Sequence, residues 1–396
     1  MPEKSTYTNI KMSTLGNVAT YINGRAFKPS EWETEGLPII RIQNLTNPSA
    51  PYNFSSKLLE EKYRVKQGDL LFAWSASLGA HIWTGHDAWL NQHIFRVIPS
   101  EQVKKKYLYY FLLQVVAELY AKTHGSGMVH ITKAPFMNTP IPVPALNEQE
   151  RIVSKIEELF SRLDASVAEL QTAKEKLKVY RQAVLKEAFD SVQANSKRVT
   201  IKSVCETIKV GIVIKPTQYY VEQGGVFAFR NANVRRNYIE DKDWAMISQE
   251  GHQKNLKSQV HIGDVLIARS GVNLGMAATV PQKYDGYNAI DVVIAVPKKE
   301  FILSQYLAQY TNSPYGLEIV RKNQHGAAQG HLNVKEYGNL PIFLPNIPEQ
   351  YSLLKKIESR LSVCDNIEQT IDTSLRLANA LRQSILKQAF EGALAT

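Results

Sequence analysis

Arg181-Gln-Ala-Val-Leu-Lys-Glu-Ala-Phe189 and Arg382-Gln-Ser-Ile-Leu-Lys-Gln-Ala-Phe390 are one segment written twice, 201 positions apart. The same offset relates His124-Gly-Ser-Gly-Met-Val-His130 to His325-Gly-Ala-Ala-Gln-Gly-His331. It also relates Pro144 to Pro345, Gln149 to Gln350 and Asp164 to Asp365. Further upstream the agreement continues with a drifting offset. Val65 to Ser75 answers Val260 to Ser270, 195 positions on, and Arg41 and Asn44 answer Arg230 and Asn233, 189 positions on. A period this long exceeds any solenoid repeat, so the chain carries a duplicated domain. Each copy has a front whose length varies, as surface loops do, and a back of constant length.

The constant backs read as long helices. After Pro140, Pro142 and Pro144, the pair Asn147 and Glu150 has capping-box spacing. Ile156, Leu163, Leu170, Leu177 and Val184 then recur every seven residues, with Ile152, Leu159, Ala173 and Tyr180 in a second row. In the copy the seam is Ile357, Cys364, Ile371, Ala378 and Ile385, flanked by Leu353, Leu361 and Leu381. Pro348 stands in the first turn and Gly392 at the stop. One such helix cannot stand alone in water, so the two are expected to pack on each other antiparallel, as a duplication about a two-fold axis would give. At 1.5 Å per residue, a helix of roughly 40 residues is about 60 Å long, room to hold two globular domains well apart.

The fold class expected is α+β: two globular mixed α/β domains (1–146 and 191–345) separated by two long antiparallel coiled-coil helices (147–190 and 346–396), as a pseudo-two-fold internal repeat. Strands are predicted over 37–42, 69–74, 93–98, 226–230, 265–269 and 291–296, and helices over 103–123 and 303–322. Gly68-Asp69 and Gly263-Asp264 mark tight turns entering strands.

A net charge of +10 favours an acidic partner such as nucleic acid. The loops between strands carry side chains suited to phosphates and base edges. The candidates for DNA contact in the first copy are Arg41, Gln43, Asn44, Ser75, Ser77, Ser126 and His130. In the second they are Arg230, Asn231, Asn233, Arg235, Arg236, Arg269, Ser270, Asn273, Gln329 and His331. Residues that differ between the copies are the better readers, since shared ones serve the framework. Candidates for partner docking or spacing on the helices are Gln149, Ile156, Leu163, Leu170, Leu177, Gln350, Ile357, Ile371 and Ile385.

Two cysteines, Cys205 and Cys364, allow neither a disulfide framework nor a zinc site. The amino terminus lacks an apolar signal core, and the most apolar run, 107–121, contains Gln114 and Glu118 and falls short of a membrane span, so a cytoplasmic protein is expected. There is no P-loop, no His-Glu-x-x-His and no paired Cys-x-x-Cys. Asn312-Ser313-Pro314-Tyr315 approximates the Asn-Pro-Pro-Tyr motif of amino-methyltransferases. It carries Ser at the second position, and no glycine-rich cofactor loop of the Phe-x-Gly-x-Gly kind accompanies it. A self-contained N6-adenine methyltransferase is therefore the alternative to a non-catalytic DNA-binding chain, and a dimerisation rod with inert ends is a third reading.

Several of these features together resemble the specificity subunit (HsdS) of type I restriction–modification systems. They are Gly68-Asp69-Leu-Leu and Gly263-Asp264-Val-Leu; Ser75-Ala-Ser-Leu-Gly79 and Ser270-Gly-Val-Asn-Leu-Gly275; the Gly-x-x-x-x-His segments ending at His130 and His331; and Pro140-Ile-Pro-Val-Pro144 running through Asn147-Glu-Gln-Glu-Arg-Ile152, with its copy Pro341-Ile-Phe-Leu-Pro345 and Pro348-Glu-Gln350. The second Glu-Gln is followed by Tyr351-Ser352 in place of Glu-Arg. The resemblance implies two target-recognition domains, each reading half of a split, asymmetric double-stranded DNA site. It implies helices that set the half-site spacing and dock methyltransferase subunits, two of them, and motor–nuclease subunits in the restriction complex. S-adenosylmethionine, and ATP and Mg for restriction, would then sit on partner subunits and none on this chain.

Overall fold

The computed structural model describes residues 10–47, 49–75, 77–122, 133–322 and 331–394. The chain forms two compact units. One comprises residues 1–171 and 372–396, the other 172–371. Each unit therefore holds one globular domain, half of the helix that follows the first domain and half of the helix that follows the second.

In the first unit, strands 19–23, 94–99, 70–73 and 79–82 form a four-stranded antiparallel sheet in that spatial order. A second sheet takes strands 53–55, 37–40, 88–90 and 64–65. A two-stranded ribbon pairs Lys11–Thr14 with Pro140–Val143, closing the front of the domain against its exit. The second unit repeats the plan. Strands 205–210, 292–297, 265–268 and 277–279 form the first sheet, 245–247, 226–229 and 288–289 the second, and Lys197–Thr200 pairs with Pro341–Leu344. The buried runs Leu70–Ala73 and Val265–Ala268 are apolar without alternation because both of their faces are covered. Gly68 and Gly263, at φ +86° and +87°, make the same turn into these strands. Asp69 and Asp264 close it by accepting the amides of Lys66 and His261 at 2.9 and 2.8 Å.

The first-domain helix spans Lys105–Lys122, close to its expected range. Its counterpart is broken: Ser304–Asn312 and Pro314–Lys322 are separate helices, with Ser313 extended between them. Pro314 forces the break, since the residue before proline is excluded from the helical region.

The long helices run Leu146–Gln193 and Ile347–Glu391. The second begins with a full capping box, Asn346 accepting from Glu349 N while Glu349 accepts from Asn346 N. The first has Ala145 at that place. The expected box on Asn147 and Glu150 is not formed, because Asn147 lies inside the helix and its side chain takes only the Glu148 amide. Gly392, at φ +77°, ends the second helix as expected.

Within each unit the two helical halves pack antiparallel. The heptad residues face one another: Ile156, Leu177, Val184, Ile357, Cys364, Ile371, Ala378 and Ile385 are buried, and Leu163 and Leu170 are half-buried. The second row does not form a seam throughout. Ala173, Tyr180 and Leu381 are exposed, so one heptad row carries the packing. Phe189 and Phe390, the last residues of the repeated nonapeptide, plug the domains. Phe189 meets Tyr306 and Tyr310 edge-on at 5.4 and 5.1 Å, and Phe390 meets Tyr107 and Phe111 at 5.1 Å each. Among the described residues no helix is long and apolar enough to cross a membrane.

Candidate nucleic-acid interface

The Glu-Gln motif that most strongly marks the repeat is a clamp. Gln149 is fully buried. Its Oε1 accepts Lys104 N at 2.8 Å and its Nε2 donates to Gln102 O and Pro144 O, both at 2.8 Å. Gln350 repeats each bond, with Leu303 N at 2.9 Å, Phe301 O at 2.8 Å and Pro345 O at 2.9 Å. Tyr107 donates to Pro142 O, and Tyr306 likewise to Phe343 O. A buried amide with all its groups paired fixes the globular domain to the first turn of the long helix. Neither glutamine is therefore a docking residue. Ile156, Leu177, Ile357, Ile371 and Ile385 are buried in the helix seam and Leu163 and Leu170 half-buried along it, as spacer residues are.

Two of the loop candidates are also framework. Asn44 accepts Arg41 N at 3.0 Å and donates to Ala50 O and Pro51 O, and Asn233 accepts Arg230 N at 2.9 Å and donates to Glu240 O and Lys242 O. Both are buried, so their amides shape a turn and are not free for a base. Ser75 and Asn273 are buried too, Asn273 donating to Asn231 O. Arg41 lies over Trp32 and bonds Asn53, and exposed Gln43 reaches back to Pro51 O. Arg230 donates to Asp243 O, and Arg235 pairs with Glu240 at 3.5 Å. Arg236 and His331 are exposed, and Ser77 is half-buried. Ser126, His130 and Gln329 lie outside the described residues.

In the second unit several candidates meet at one end of the sheet. Asn231 donates to Ser270 Oγ at 2.8 Å and to Asp291 at 3.3 Å, and its Oδ1 accepts Arg269 N at 2.8 Å. Arg269 forms an ion pair with Asp291 at 3.2 Å. Leu332 N donates to Arg269 O, which brings His331 beside the cluster, and Val272, 97% exposed, stands next to it in sequence. The cluster offers donors, an acceptor and an exposed methyl-bearing side chain within one turn, the inventory that base edges require. In the first unit Trp74 occupies this end, stacked on Phe95 and bonded through Nε1 to Asn23 at 3.2 Å, with His93 5.7 Å from its ring. Sequence reasoning missed Asp291, Gln92 and His93. Each stands just before its strand, where the offset between the copies drifts. The signal that finds them is strand register, not residue identity.

Asn312 is fully buried, accepting Ala277 N at 2.9 Å and donating to Ala277 O and Asn237. Tyr315 donates to Asp190. This segment ties a helix end to a strand edge and to the long helix, so its Asn has no group left to grip a base. Among the described residues no three His, Cys, Asp or Glu side chains are placed to hold a metal ion.

Comparison with known proteins agrees with this architecture. Residues 7–175 match the family described as type I restriction modification DNA specificity domain. The chain is 26% identical to the type I restriction enzyme EcoBI specificity subunit of Escherichia coli, over 96% of this chain and 85% of that one. It is 23% identical to the EcoKI specificity subunit of E. coli strain K12, over 97% and 89%. A chain solved in work on complex assembly and conformational transition of the type I R-M system superposes with a TM-score of 0.71 at 19% identity, covering 99% of this chain and 100% of that one, which shows a shared fold.

Proposed function

We propose that this chain is a specificity subunit of a type I restriction–modification system and that its two domains read the two halves of one bipartite, asymmetric DNA site. The observation that carries this reading is the contrast within the repeat. The framework recurs bond for bond, from the glycine turn to the glutamine clamp, while the ends of the two sheets carry different side chains. A homodimeric reader would present one chemistry twice, and this chain presents two.

The long helices set the distance between half-sites in this account. Partner methyltransferase subunits, two per chain, dock on helical surface that the seam leaves open. Val363 and Ile367 in one unit and Leu377 in the other are 45–64% exposed apolar residues of this kind. Those partners carry S-adenosylmethionine and transfer its methyl group to adenine N6. Motor–nuclease subunits with ATP and Mg complete the restriction complex. The chain itself supplies recognition and no chemistry.

The test is reconstitution. The purified chain is expected to bind duplex DNA without methylating it, and to direct methylation once a cognate methyltransferase subunit is added. Methylation by this chain alone with S-adenosylmethionine would overturn the assignment.

A further inference from the structure

The two copies can be aligned by hydrogen-bond register, which is stricter than sequence. The innermost ladder of the first unit pairs Leu70 with Val97 and ends with Ala73 opposite Ile94. That of the second pairs Val265 with Ala295 and ends with Ala268 opposite Val292. The next rung outward is therefore Trp74 opposite His93 in one unit and Arg269 opposite Asp291 in the other. The frame around that rung is the same in both, with Ser75 and Ser270 following and Asn44 and Asn233 locking the neighbouring turn. The rung itself differs: an aromatic pair, ring centroids 5.7 Å apart, against an ion pair at 3.2 Å. A third position changes with it. Asn231, which braces the Arg269 rung, corresponds to Ile42.

We propose that this rung is the specificity position of each domain, and that Arg269, braced by Asp291, reads a guanine in the half-site of the second unit. The inference rests on the DNA-recognition reading above. Guanine presents O6 and N7 to the major groove as two adjacent acceptors, and a bidentate arginine is the commonest side chain to meet them. Such a contact needs a guanidinium held in place with one edge unspent. Asp291 takes Nη1, and the buried Nε has no hydrogen-bond partner among the described residues. Asp291 itself sits at φ +53°, a conformation that non-glycine residues rarely adopt. The second sheet end thus accepts backbone strain at the residue that positions the arginine. Asp291 is a positioning residue, and Arg269 is the reader. In the first unit the Trp74–His93 rung has no guanidinium, while the buried Gln92 Oε1 and His93 Nδ1 have no hydrogen-bond partner among the described residues. That half-site is read by a different chemistry, so the two halves differ in sequence.

The experiment selects from a duplex library randomised over both half-sites, using the full chain and its Arg269→Ala, Arg269→Lys and Asp291→Asn variants, each first shown to melt cooperatively. The wild type should select guanine at one fixed position of one half-site. Arg269→Ala and Arg269→Lys should lower that preference about tenfold to a hundredfold and leave every other position unchanged, as loss of one bidentate pair does. Asp291→Asn should weaken the same position and no other. An even loss of affinity with preferences intact would make Arg269 a phosphate contact and overturn the inference, as would unchanged selection. If Arg269→Ala does not fold, Arg269→Lys decides alone. A wild-type chain that selects no sequence removes the DNA-recognition reading itself, which separates the two failures.

Discussion

Arg181 pairs with Asp365 at 2.7 Å, and the residues 201 positions from each, Arg382 and Asp164, pair with each other. Each bridge joins a residue of one long helix to a residue of the other, inside its own unit. The partners are exchanged between copies, as residue i meets j and j meets i across an isologous interface. The duplication has thus placed within one chain a contact pattern that symmetric dimers make between two. Arg181 also holds Glu368 at 2.9 Å, and Arg382 lies over the ring of Phe160 at 4.4 Å.

Reversing charge at one of these bridges should therefore be repaired by reversing its partner. Arg181→Glu is expected to lower stability, and Arg181→Glu with Asp365→Arg to recover part of the loss. A double-mutant cycle should give a coupling of about 0.5–1 kcal/mol, the range for partly exposed pairs. Arg181→Glu with Asp164→Arg should show none, since Asp164 belongs to the other bridge.

The glutamine clamps should matter far more than their residue type implies. Gln350→Leu leaves Leu303 N, Phe301 O and Pro345 O without their buried partner. We expect a cost of about 2–4 kcal/mol by denaturant unfolding, with faster hydrogen exchange at the Leu303 amide. Gln149→Leu should do the same at Lys104.

Asn312→Ala separates the structural role from a catalytic one. Its three hydrogen bonds, two of them buried, should cost about 2 kcal/mol or more on truncation, seen as a lower Tm. Below that Tm, a reconstituted complex should still methylate its site. A stable but methylation-dead variant would return the motif to catalysis.

Acid should loosen the first domain through Glu31. Hydrogen bonds from Lys57, Lys28 N and Arg25 hold its carboxyl down at about 2. A depressed folded value means that the stabilisation is present above the ordinary carboxylate range and fades as pH falls toward 2. Glu31→Gln should flatten the pH dependence of Tm between about 4.5 and 2. An identical acid profile in the variant would show that the cluster contributes nothing.

The sequence made the repeat, the two helices and most strands legible, because seven-residue periodicity and glycine turns are local signals. Pro348 and Gly392 bounded the second helix correctly. The cap of the first helix is Ala145, and Asn147 offers the expected residue type two positions beyond it. The helix expected over 303–322 runs through Pro314, where the chain in fact breaks, because the apolar residues of both halves share one helical pattern. The candidate site was legible only in part. Arg269, Ser270 and Asn231 stand out as polar loop residues, yet so do Asn44 and Asn233, which fold back on their own turns. Which amide faces outward depends on tertiary contacts, and Asp291 and His93 enter the picture only through strand register.

The central claim is that the two domains read different half-sites on one framework. It is tested most directly by sequencing modified adenines in DNA methylated by the reconstituted complex, comparing the native chain with one whose residues 10–143 are replaced by residues 196–344. The native chain should give two unlike half-sites. The replaced chain should keep the second half-site and show it again, inverted, in place of the first. An unchanged asymmetric site, or a change in both halves at once, would contradict the account.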